Sequence, residues 1–386
     1  MKIGIVTYWK SEDNYGQLLQ CYALQTYLKN KGHDAYLIKY APVVERSTNI
    51  LIRRWIGYVL DLIIPSRKRL AVLLKERLLK NKTREFSKFR KQYISQTDTI
   101  YSSIEEIKEN YPEADCYITG SDQVWNNDLQ LRSTLGWYLD FGDAYTLRIS
   151  YAASIGRDLK DEEIDIFCKY ITNLDGVSVR EKSTEILCKK LGLKDVQTVL
   201  DPTLLLPISS YNSLMVPLDN INPFIFIYLI NVNTIEETKW KEIEPYITKS
   251  KLDVRVVSSS GYCNMCDVIP NHSITYATIP EWLSYIQKSE YVVTTSFHGI
   301  VFSILMHKPF LAIPLKNEYK QANVRIYDFL SLLHLESRIY NNDLEFERQI
   351  TQDINWDDVD LELLRLKKPS EKFIEEILKM KKQNGE

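Results

Sequence analysis

The chain has 386 residues, of which 45% are hydrophobic and 26% charged, and its formal net charge is −2. These values are typical of a soluble globular protein, and the length favours two domains. No stretch reaches the roughly 18 apolar residues of a membrane-spanning helix. The amino-terminal MKIGIVTYW is typical of a strand, which argues against a signal peptide.

The six cysteines are scattered, and most lie in apolar runs. This distribution favours reduced thiols in a cytoplasmic protein over a disulfide framework. Cys263 and Cys266 have the Cys-x-x-Cys spacing of half a zinc site or of a redox pair. No second pair completes a metal site, so we predict that the protein binds no metal.

The first forty residues predict a strand, a helix and a second strand. KIGIVTYW has the pattern of a buried strand, and the following helical segment ends near Gly32. This alternation indicates a parallel sheet with right-handed crossovers. Asn14, Tyr15 and Gly16 occupy the turn between the first strand and the helix, where backbone N–H groups could bind an anion or a sugar. An ordinary tight turn is the alternative.

Residues 46–92 interrupt the pattern with a basic segment. It contains fourteen Lys and Arg against three acidic residues, a net charge of +11, interleaved with apolar runs such as WIGYVLDLIIP. Pro65 divides it into two predicted helices. Such basic amphipathic helices lie on anionic membranes, and Trp55 and Tyr58 would be interfacial anchors. A solvated helical hairpin fits the same pattern, and we predict no nucleic-acid partner.

The alternation then resumes and completes a Rossmann-like domain of residues 1–204. Helical stretches around 160–174 and 181–191 separate predicted strands with the sequences DCYITG, RISYAAS, GVSVRE and VQTVLD. Asp201, Pro202 and Thr203, with the loop through Pro217, predict an interdomain link.

A second alternating set predicts another Rossmann-like domain, residues 205–367. Its predicted helices lie near 235–247, near 280–288 and after His298, and its predicted strands are FIFIYLI, LDVRVVSS, YVVTTS and KPFLAIP. An amphipathic helix is predicted for residues 368–386. The fold class is therefore α/β, with two Rossmann-like domains facing a cleft and ligands at the carboxyl ends of the strands.

Two strand ends of the first domain carry candidate binding residues. Asp122, Gln123 and Trp125 follow a buried strand and offer acceptors, an amide and an aromatic face, which suit sugar recognition. A helix cap with a core tryptophan is the alternative. Arg180 ends another strand and suits bidentate capture of a carboxylate or phosphate. An ion pair with Glu181 is its alternative.

His298 is one of five histidines and stands at a strand-to-helix turn of the second domain. Ser296 can cap the helix that follows, and Gly299 would let a ligand approach the backbone. An imidazole in this position can donate or accept a proton near neutral pH. Lys316, in the loop after the last strand, could add positive charge, although a solvated loop is equally consistent with its position.

Six motifs occur in order between residues 14 and 310: NYGQLLQCYAL, ITGSDQVWN, SYAASIG, VSVREKS, LDPTLLL and TTSFHGIVFSILMHKPF. Together they resemble the polysaccharide pyruvyl transferases. The resemblance implies a fold similar to GT-B glycosyltransferases and formation of a pyruvate ketal on a sugar of a cell-surface glycan. It also implies that phosphoenolpyruvate is the donor, that Arg180 contacts it and that His298 is catalytic. Residues 46–92 are not part of this motif set.

The expected partners are phosphoenolpyruvate, as co-substrate without a further cofactor, and a glycan acceptor or its polyprenyl-linked precursor. The expected location is cytoplasmic, peripheral on the inner face of the membrane. Donor-binding residues would be Arg180, Ser296, His298, Gly299 and Lys316. Acceptor-binding residues would be Asn14, Tyr15, Gly16, Asp122, Gln123 and Trp125. A glycosyltransferase that uses a sugar nucleotide, and a membrane-bound scaffold of a glycan-assembly complex, are the competing hypotheses.

Overall fold

The computed structural model describes residues 1–42, 82–126, 132–219, 221–259, 269–316 and 319–380. Most of the basic segment, including Pro65, Trp55 and Tyr58, lies outside the described residues, and so do Cys263 and Cys266. The predictions made for these residues therefore stay predictions. Within the described ranges, no helix is long and apolar enough to span a membrane.

The first sheet has seven parallel strands in the order β3-β2-β1-β4-β5-β6-β7. The strands are β1 (Lys2–Val6), β2 (Asp34–Tyr40), β3 (Gln96–Tyr101), β4 (Cys116–Thr119), β5 (Leu147–Ala153), β6 (Gly176–Val179) and β7 (Val196–Thr198). The order reverses beside β1, and crevices beyond the carboxyl ends of the strands at such a point are where doubly wound sheets bind ligands. The predicted parallel sheet is confirmed.

Helices connect these strands. They are α1 (Tyr15–Asn30), α2 (Phe86–Tyr93), α3 (Ile104–Glu109), α4 (Asp161–Ile171) and α5 (Lys182–Lys190). The helices predicted around 160–174 and 181–191 are confirmed with slightly shorter ends. In α1 nearly every residue before Lys29 is buried, because the helix packs against both the first sheet and the second domain.

The second sheet has four parallel strands in the order β11-β10-β8-β9. They are β8 (Phe224–Leu229), β9 (Asp253–Ser258), β10 (Tyr291–Thr294) and β11 (Phe310–Ala312). The helices of this part are α6 (Ile208–Asn212), α7 (Ile235–Thr238), α8 (Trp240–Ser250), α9 (Ile279–Lys288), α10 (Phe297–Leu305), α11 (Val324–Leu332) and α12 (Phe346–Ile350). The single helix predicted for 235–247 is divided at Lys239, whose φ is 61°.

The last helix, α13 (Trp356–Lys379), begins well before the predicted start at residue 368. Pro369 lies inside this helix. Contacts with the first domain hold its second half in place. Ser370 Oγ accepts a hydrogen bond from Leu200 N at 2.9 Å, and Glu375 forms an ion pair with Lys31 at 2.6 Å. The second half of this helix is therefore anchored to the first domain through Ser370 and Glu375.

The carboxyl end of the basic segment belongs to the folded core. Arg84 is buried, and its Nη2 donates to the carbonyl of Ser258 at 2.7 Å. Arg90 is also buried; its Nη1 donates to the carbonyl of Ser11 at 2.7 Å, and its Nη2 pairs with Glu12. Arg84 and Arg90 of the basic segment therefore pack within the folded core and are not available to a membrane.

Candidate active site

Four strand ends converge between the two sheets. Ser121 follows β4, Arg180 follows β6, Asp201 follows β7 and His298 follows β10. Because the strands of each sheet are parallel, their carboxyl ends lie at one edge, and the edges of the two sheets face each other. The side chains from these positions form one buried cluster of a hydroxyl, a guanidinium, a carboxylate and an imidazole.

Arg180 lies in the middle of this cluster and is only 6% exposed. Its Nη1 lies 3.1 Å from Asp201 Oδ2 and 3.4 Å from Ser121 Oγ, and its Nε lies 3.3 Å from Glu181 Oε1. The Glu181 ion pair expected as an alternative is therefore present as well. Nη2 is buried and has no hydrogen-bond partner among the described residues. The guanidinium Cζ lies 4.5 Å from the centroid of the Phe297 ring.

Electrostatics keep Arg180 charged in spite of its burial. Burial lowers its pKa, but the carboxylates of Glu181, Asp201 and Asp122 together raise the pKa above its ordinary value. A buried guanidinium that is charged and has two uncommitted N–H groups is suited to bind an anion.

Asp201 joins Arg180 to His298, although sequence analysis assigned it to an interdomain link. Its Oδ1 accepts from Thr203 N at 3.0 Å and from Thr203 Oγ1 at 2.6 Å, and its Oδ2 accepts from Ser121 Oγ at 2.7 Å. Burial raises its pKa, but the interactions with His298 and Arg180 outweigh burial and hold the pKa below its usual range. Asp201 is therefore an ionised carboxylate. Its position at the end of VQTVLD was the signal that could have identified it.

His298 lies in the first turn of α10 and is 5% exposed. Its Nε2 lies 3.5 Å from Asp201 Oδ2, the outer limit of hydrogen bonding, and makes no well-formed hydrogen bond within the described ranges. The predicted helix cap is confirmed, because Ser296 Oγ accepts from Gly299 N at 3.3 Å. The imidazole therefore faces an anionic partner while one of its nitrogens still has capacity for a ligand.

Two glycines have specific steric roles here. A Cβ at Gly16 would lie 2.1 Å from His298 Nδ1, so the absence of a side chain lets the imidazole of the second domain reach α1 of the first. A Cβ at Gly299 would lie 2.5 Å from Thr294 Oγ1. The space left by Gly299 is therefore filled by the preceding strand, whereas sequence analysis expected a ligand to approach there.

Two aromatic residues predicted to bind the acceptor lie in the core. Tyr15 stacks on Trp282 with ring centroids 5.3 Å apart, and its hydroxyl donates to the carbonyl of Ala277 at 2.7 Å. Trp125 is fully buried and stacks on Tyr138 at 5.6 Å. Neither ring offers a face to the cleft, so the alternative of a core tryptophan holds for Trp125.

The remaining predicted residues, Asn14, Gln123 and Lys316, differ in their surroundings. Asn14 caps α1, where its Oδ1 accepts from Gln17 N at 3.4 Å. Gln123 is half-buried and packs so closely on Gly156 that a Cβ there would lie 1.9 Å from its Nε2. Lys316 is exposed.

Arg325 is a site residue that sequence analysis missed. It lies in the first turn of α11, and its Nη1 is 3.9 Å from Oδ1 of Asp122. Asp122 itself has a φ of 81° and forms a parallel bridge with Ala153. Burial, together with the nearby charge of Arg180, lowers the pKa of Arg325 to about 10. No local pattern in the sequence marks this arginine, because only the docking of α11 brings it to the cleft.

Over the part of the chain that the structure describes, no group of three or more His, Cys, Asp or Glu side chains could hold a metal ion.

The family model for polysaccharide pyruvyl transferases matches residues 14–317. The protein belongs to this family. The match includes Asp122, Arg180, Asp201 and His298, whereas Arg325 lies beyond its last residue. Comparison with curated proteins gives no match.

Three solved structures align with nearly all of this chain. The UDP-N-acetylglucosamine 2-epimerase of Rickettsia bellii has a TM-score of 0.56 at 10% identity and covers 98% of this chain and 96% of its own. The Neisseria meningitidis UDP-GlcNAc 2-epimerase bound to UDP-GlcNAc has a TM-score of 0.49 at 11% identity, and the alignment covers 98% of this chain and 100% of the epimerase chain. Glycosyltransferase VinC in complex with dTDP has a TM-score of 0.40 at 12% identity, covering 98% of each chain. The first of these likenesses confirms a GT-B-like α/β fold for this pyruvyl transferase family member.

Proposed function

We propose that the protein transfers the pyruvyl group of phosphoenolpyruvate to two hydroxyls of one sugar, forming a cyclic ketal on a cell-surface polysaccharide or its lipid-linked precursor. The observation that carries this proposal is the pair of uncommitted nitrogens, Arg180 Nη2 and His298 Nε2, on buried side chains that share Asp201. Arg180 Nη2 is suited to bind an anion, and His298 Nε2 is suited to transfer a proton. Membership of the family supports the same reaction.

The donor fits this environment for electrostatic reasons. Phosphoenolpyruvate carries a carboxylate and a phosphate, and the two N–H groups of Arg180 Nη2 can donate charge-assisted hydrogen bonds to either group. Water is largely excluded from a cluster this deeply buried, which strengthens each charge interaction. The ring of Phe297 beneath Arg180 provides an apolar surface for the methylene carbon of the donor.

The chemistry needs a proton at C3 and a nucleophile at C2 of the donor. His298 would deliver the proton to C3, and C2, which gains oxocarbenium character, is attacked by the first sugar hydroxyl, whose proton returns to the imidazole. Phosphate then leaves, and the second hydroxyl closes the ketal ring and gives up its proton to the departing phosphate. Asp201 would compensate the positive charge of the imidazole when it is protonated.

The acceptor would bind next to this cluster. Because the rings of Tyr15 and Trp125 are in the core, the acceptor would contact polar groups at the same edge, namely Asn14, Asp122 and Gln123 together with the backbone at Gly16. Each of these groups follows a strand of the first sheet, and Gly16 lies directly against the imidazole of His298.

Phosphoenolpyruvate should raise the melting temperature of the protein in a concentration-dependent way, because a ligand that binds only the folded state stabilises it by mass action. The expected gain is about 2.7 kcal/mol at a ligand concentration 100 times Kd. The measurement is thermal unfolding with phosphoenolpyruvate, with UDP-N-acetylglucosamine, and with sulfate at matched ionic strength as the control. Stabilisation by the sugar nucleotide and none by phosphoenolpyruvate would contradict the proposal and support a glycosyltransferase.

We further propose that the basic segment docks the enzyme on an anionic membrane, where a polyprenyl-linked acceptor would be located. Each basic residue near such a surface contributes about 1 kcal/mol, and added salt weakens this attraction. Replacement by glutamine of five residues of this segment should therefore abolish co-sedimentation with anionic vesicles at low ionic strength. The five residues are Arg53, Arg54, Arg67, Lys68 and Arg69.

A matched control removes the same number of positive charges from exposed lysines elsewhere, and this variant should still sediment. Its five substitutions to glutamine are at Lys190, Lys194, Lys241, Lys251 and Lys288. Equal sedimentation of the wild type with neutral and anionic vesicles, or none with either, would rule out electrostatic docking and leave a solvated helical hairpin.

A further inference from the structure

Two arginines from different domains reach the same cavity. Arg180 follows β6 of the first sheet, and Arg325 lies at the start of α11, after the last strand of the second. Both line a small cavity whose walls include Asp201, Phe297 and Phe329. Two guanidinium groups that line one cavity repel each other, and a negatively charged ligand between them would offset this repulsion.

The carboxylates of the cluster accept hydrogen bonds from Arg180 but not from Arg325. Glu181 and Asp201 both hydrogen-bond with Arg180. Arg325 Nη1 is 3.9 Å from Asp122 Oδ1, which is too long for a hydrogen bond, and only its Nε donates, to the carbonyl of Ala322 at 3.3 Å. Within the described ranges, the terminal nitrogens of Arg325 therefore make no hydrogen bond, and the same is true of Arg180 Nη2.

The position of Arg325 is held by a contact between the domains. Asp328, one turn further along α11, accepts hydrogen bonds from Ser183 N at 2.9 Å and from Ser183 Oγ at 2.7 Å at the start of α5. Residues three apart on a helix lie on one face, so Asp328 and Arg325 both point towards the first domain. The packing of α11 on the first domain therefore holds Arg325 beside Arg180, although no carboxylate of the described residues accepts a hydrogen bond from Arg325.

We infer that Arg325 is a second donor-binding arginine, and that one ligand with two anionic groups binds between the guanidinium groups of the two domains. This inference rests on the proposed function, under which the ligand is phosphoenolpyruvate. The side chain of Arg180 is 3% exposed and that of Arg325 is 14% exposed. The smaller carboxylate binds the deeper Arg180, and the phosphate, which must leave after reaction, binds the more open Arg325.

Arg325→Gln should weaken phosphoenolpyruvate binding about 10- to 100-fold, the expected result of losing a charge-assisted pair. Arg325→Lys should recover part of the affinity, since lysine keeps the charge but not the planar fork. Lys320→Gln is the matched control, because Lys320 is exposed and precedes the same helix. The Kd of Lys320→Gln for phosphoenolpyruvate should stay within about twofold of wild type, because an exposed charge is screened by solvent. The measurement is isothermal titration calorimetry on the full chain.

Single-anion probes test the assignment independently of the donor. Inorganic phosphate should lose affinity in Arg325→Gln but not in Arg180→Lys, and pyruvate should show the reverse. If the wild-type protein did not bind phosphoenolpyruvate but bound phosphate through Arg325, the proposed function would be overturned and Arg325 would remain an anion-binding residue. Unchanged affinity of Arg325→Gln for both phosphoenolpyruvate and phosphate would overturn the inference.

Thermal unfolding of the free protein provides the second readout. A buried arginine without a good acceptor does not stabilise the fold, so the melting temperature of Arg325→Gln without ligand should not fall below that of Lys320→Gln. A lower melting temperature combined with unchanged anion affinity would mean that Arg325 is only an ion-pair partner of Asp122.

Discussion

Replacing His298 with glutamine should lower turnover by about 10²- to 10⁴-fold while changing the Kd for phosphoenolpyruvate by less than about tenfold. Glutamine retains a hydrogen-bond donor near Asp201 but cannot carry a proton to C3 of the donor. The buried position of the imidazole, with Nε2 3.5 Å from the Asp201 carboxylate, is the structural reason for expecting an effect on turnover. The measurements are steady-state turnover with a sugar acceptor and donor binding by calorimetry.

The matched control for this substitution is His307→Gln. His307 is exposed and pairs with Asp360 at 3.0 Å, away from the cluster. Its replacement should leave both turnover and donor affinity close to wild type. If His298→Gln kept its turnover and only raised KM, His298 would be a binding residue and another group would have to supply the proton.

Asp201→Asn should destabilise the protein by about 3–5 kcal/mol at neutral pH, the usual cost of removing one partner of a buried ion pair. The carboxylate is buried and holds Arg180 at 3.1 Å, and asparagine cannot balance that charge. Turnover should also fall, since the imidazole of His298 loses its anionic neighbour. Asp140→Asn is the control, because its ion pair with Lys108 at 2.7 Å is partly solvated and should contribute at most about 1 kcal/mol.

The loss in Asp201→Asn should depend on pH in a defined direction. The pKa of Asp201 is lower in the folded protein than in the unfolded chain, so its contribution to stability is present above the unfolded value, near 4, and is lost as the pH falls further. The difference in unfolding free energy between wild type and variant should therefore be constant near neutrality and shrink below about pH 4. Chemical denaturation at several pH values measures it. A difference that does not change with pH would mean that the loss comes from packing and not from the charge.

Local patterns predict much of this protein. Strands and helices follow from the spacing of apolar residues, because burial of one face or of a whole strand is visible in the sequence over a few residues. The helix cap at Ser296 follows from its position between a strand and an apolar run. Arg180 and His298 could be placed at the cleft because each ends a strand, and the carboxyl ends of parallel strands lie at one edge.

The aromatic residues show where such reasoning fails. Tyr15 and Trp125 also stand at strand ends, yet one stacks on Trp282 and the other on Tyr138. A ring that faces a ligand and a ring that faces the core give the same local pattern. Burial of such a large apolar surface decides between the two, and that burial depends on neighbours distant in the sequence.

The order of residues along the chain is enough to predict the α/β class, the alternation that produces two parallel sheets, and the placement of Arg180 and His298 at their edges. The contact of Asp201 with these two residues arises only on folding, because it depends on β7 lying beside β6. The entry of Arg325 into the cluster also arises only on folding, because Asp328 docks α11 on the first domain. Electrostatic contacts act over a few ångströms in space, whatever the separation along the chain, so no local pattern could reveal them.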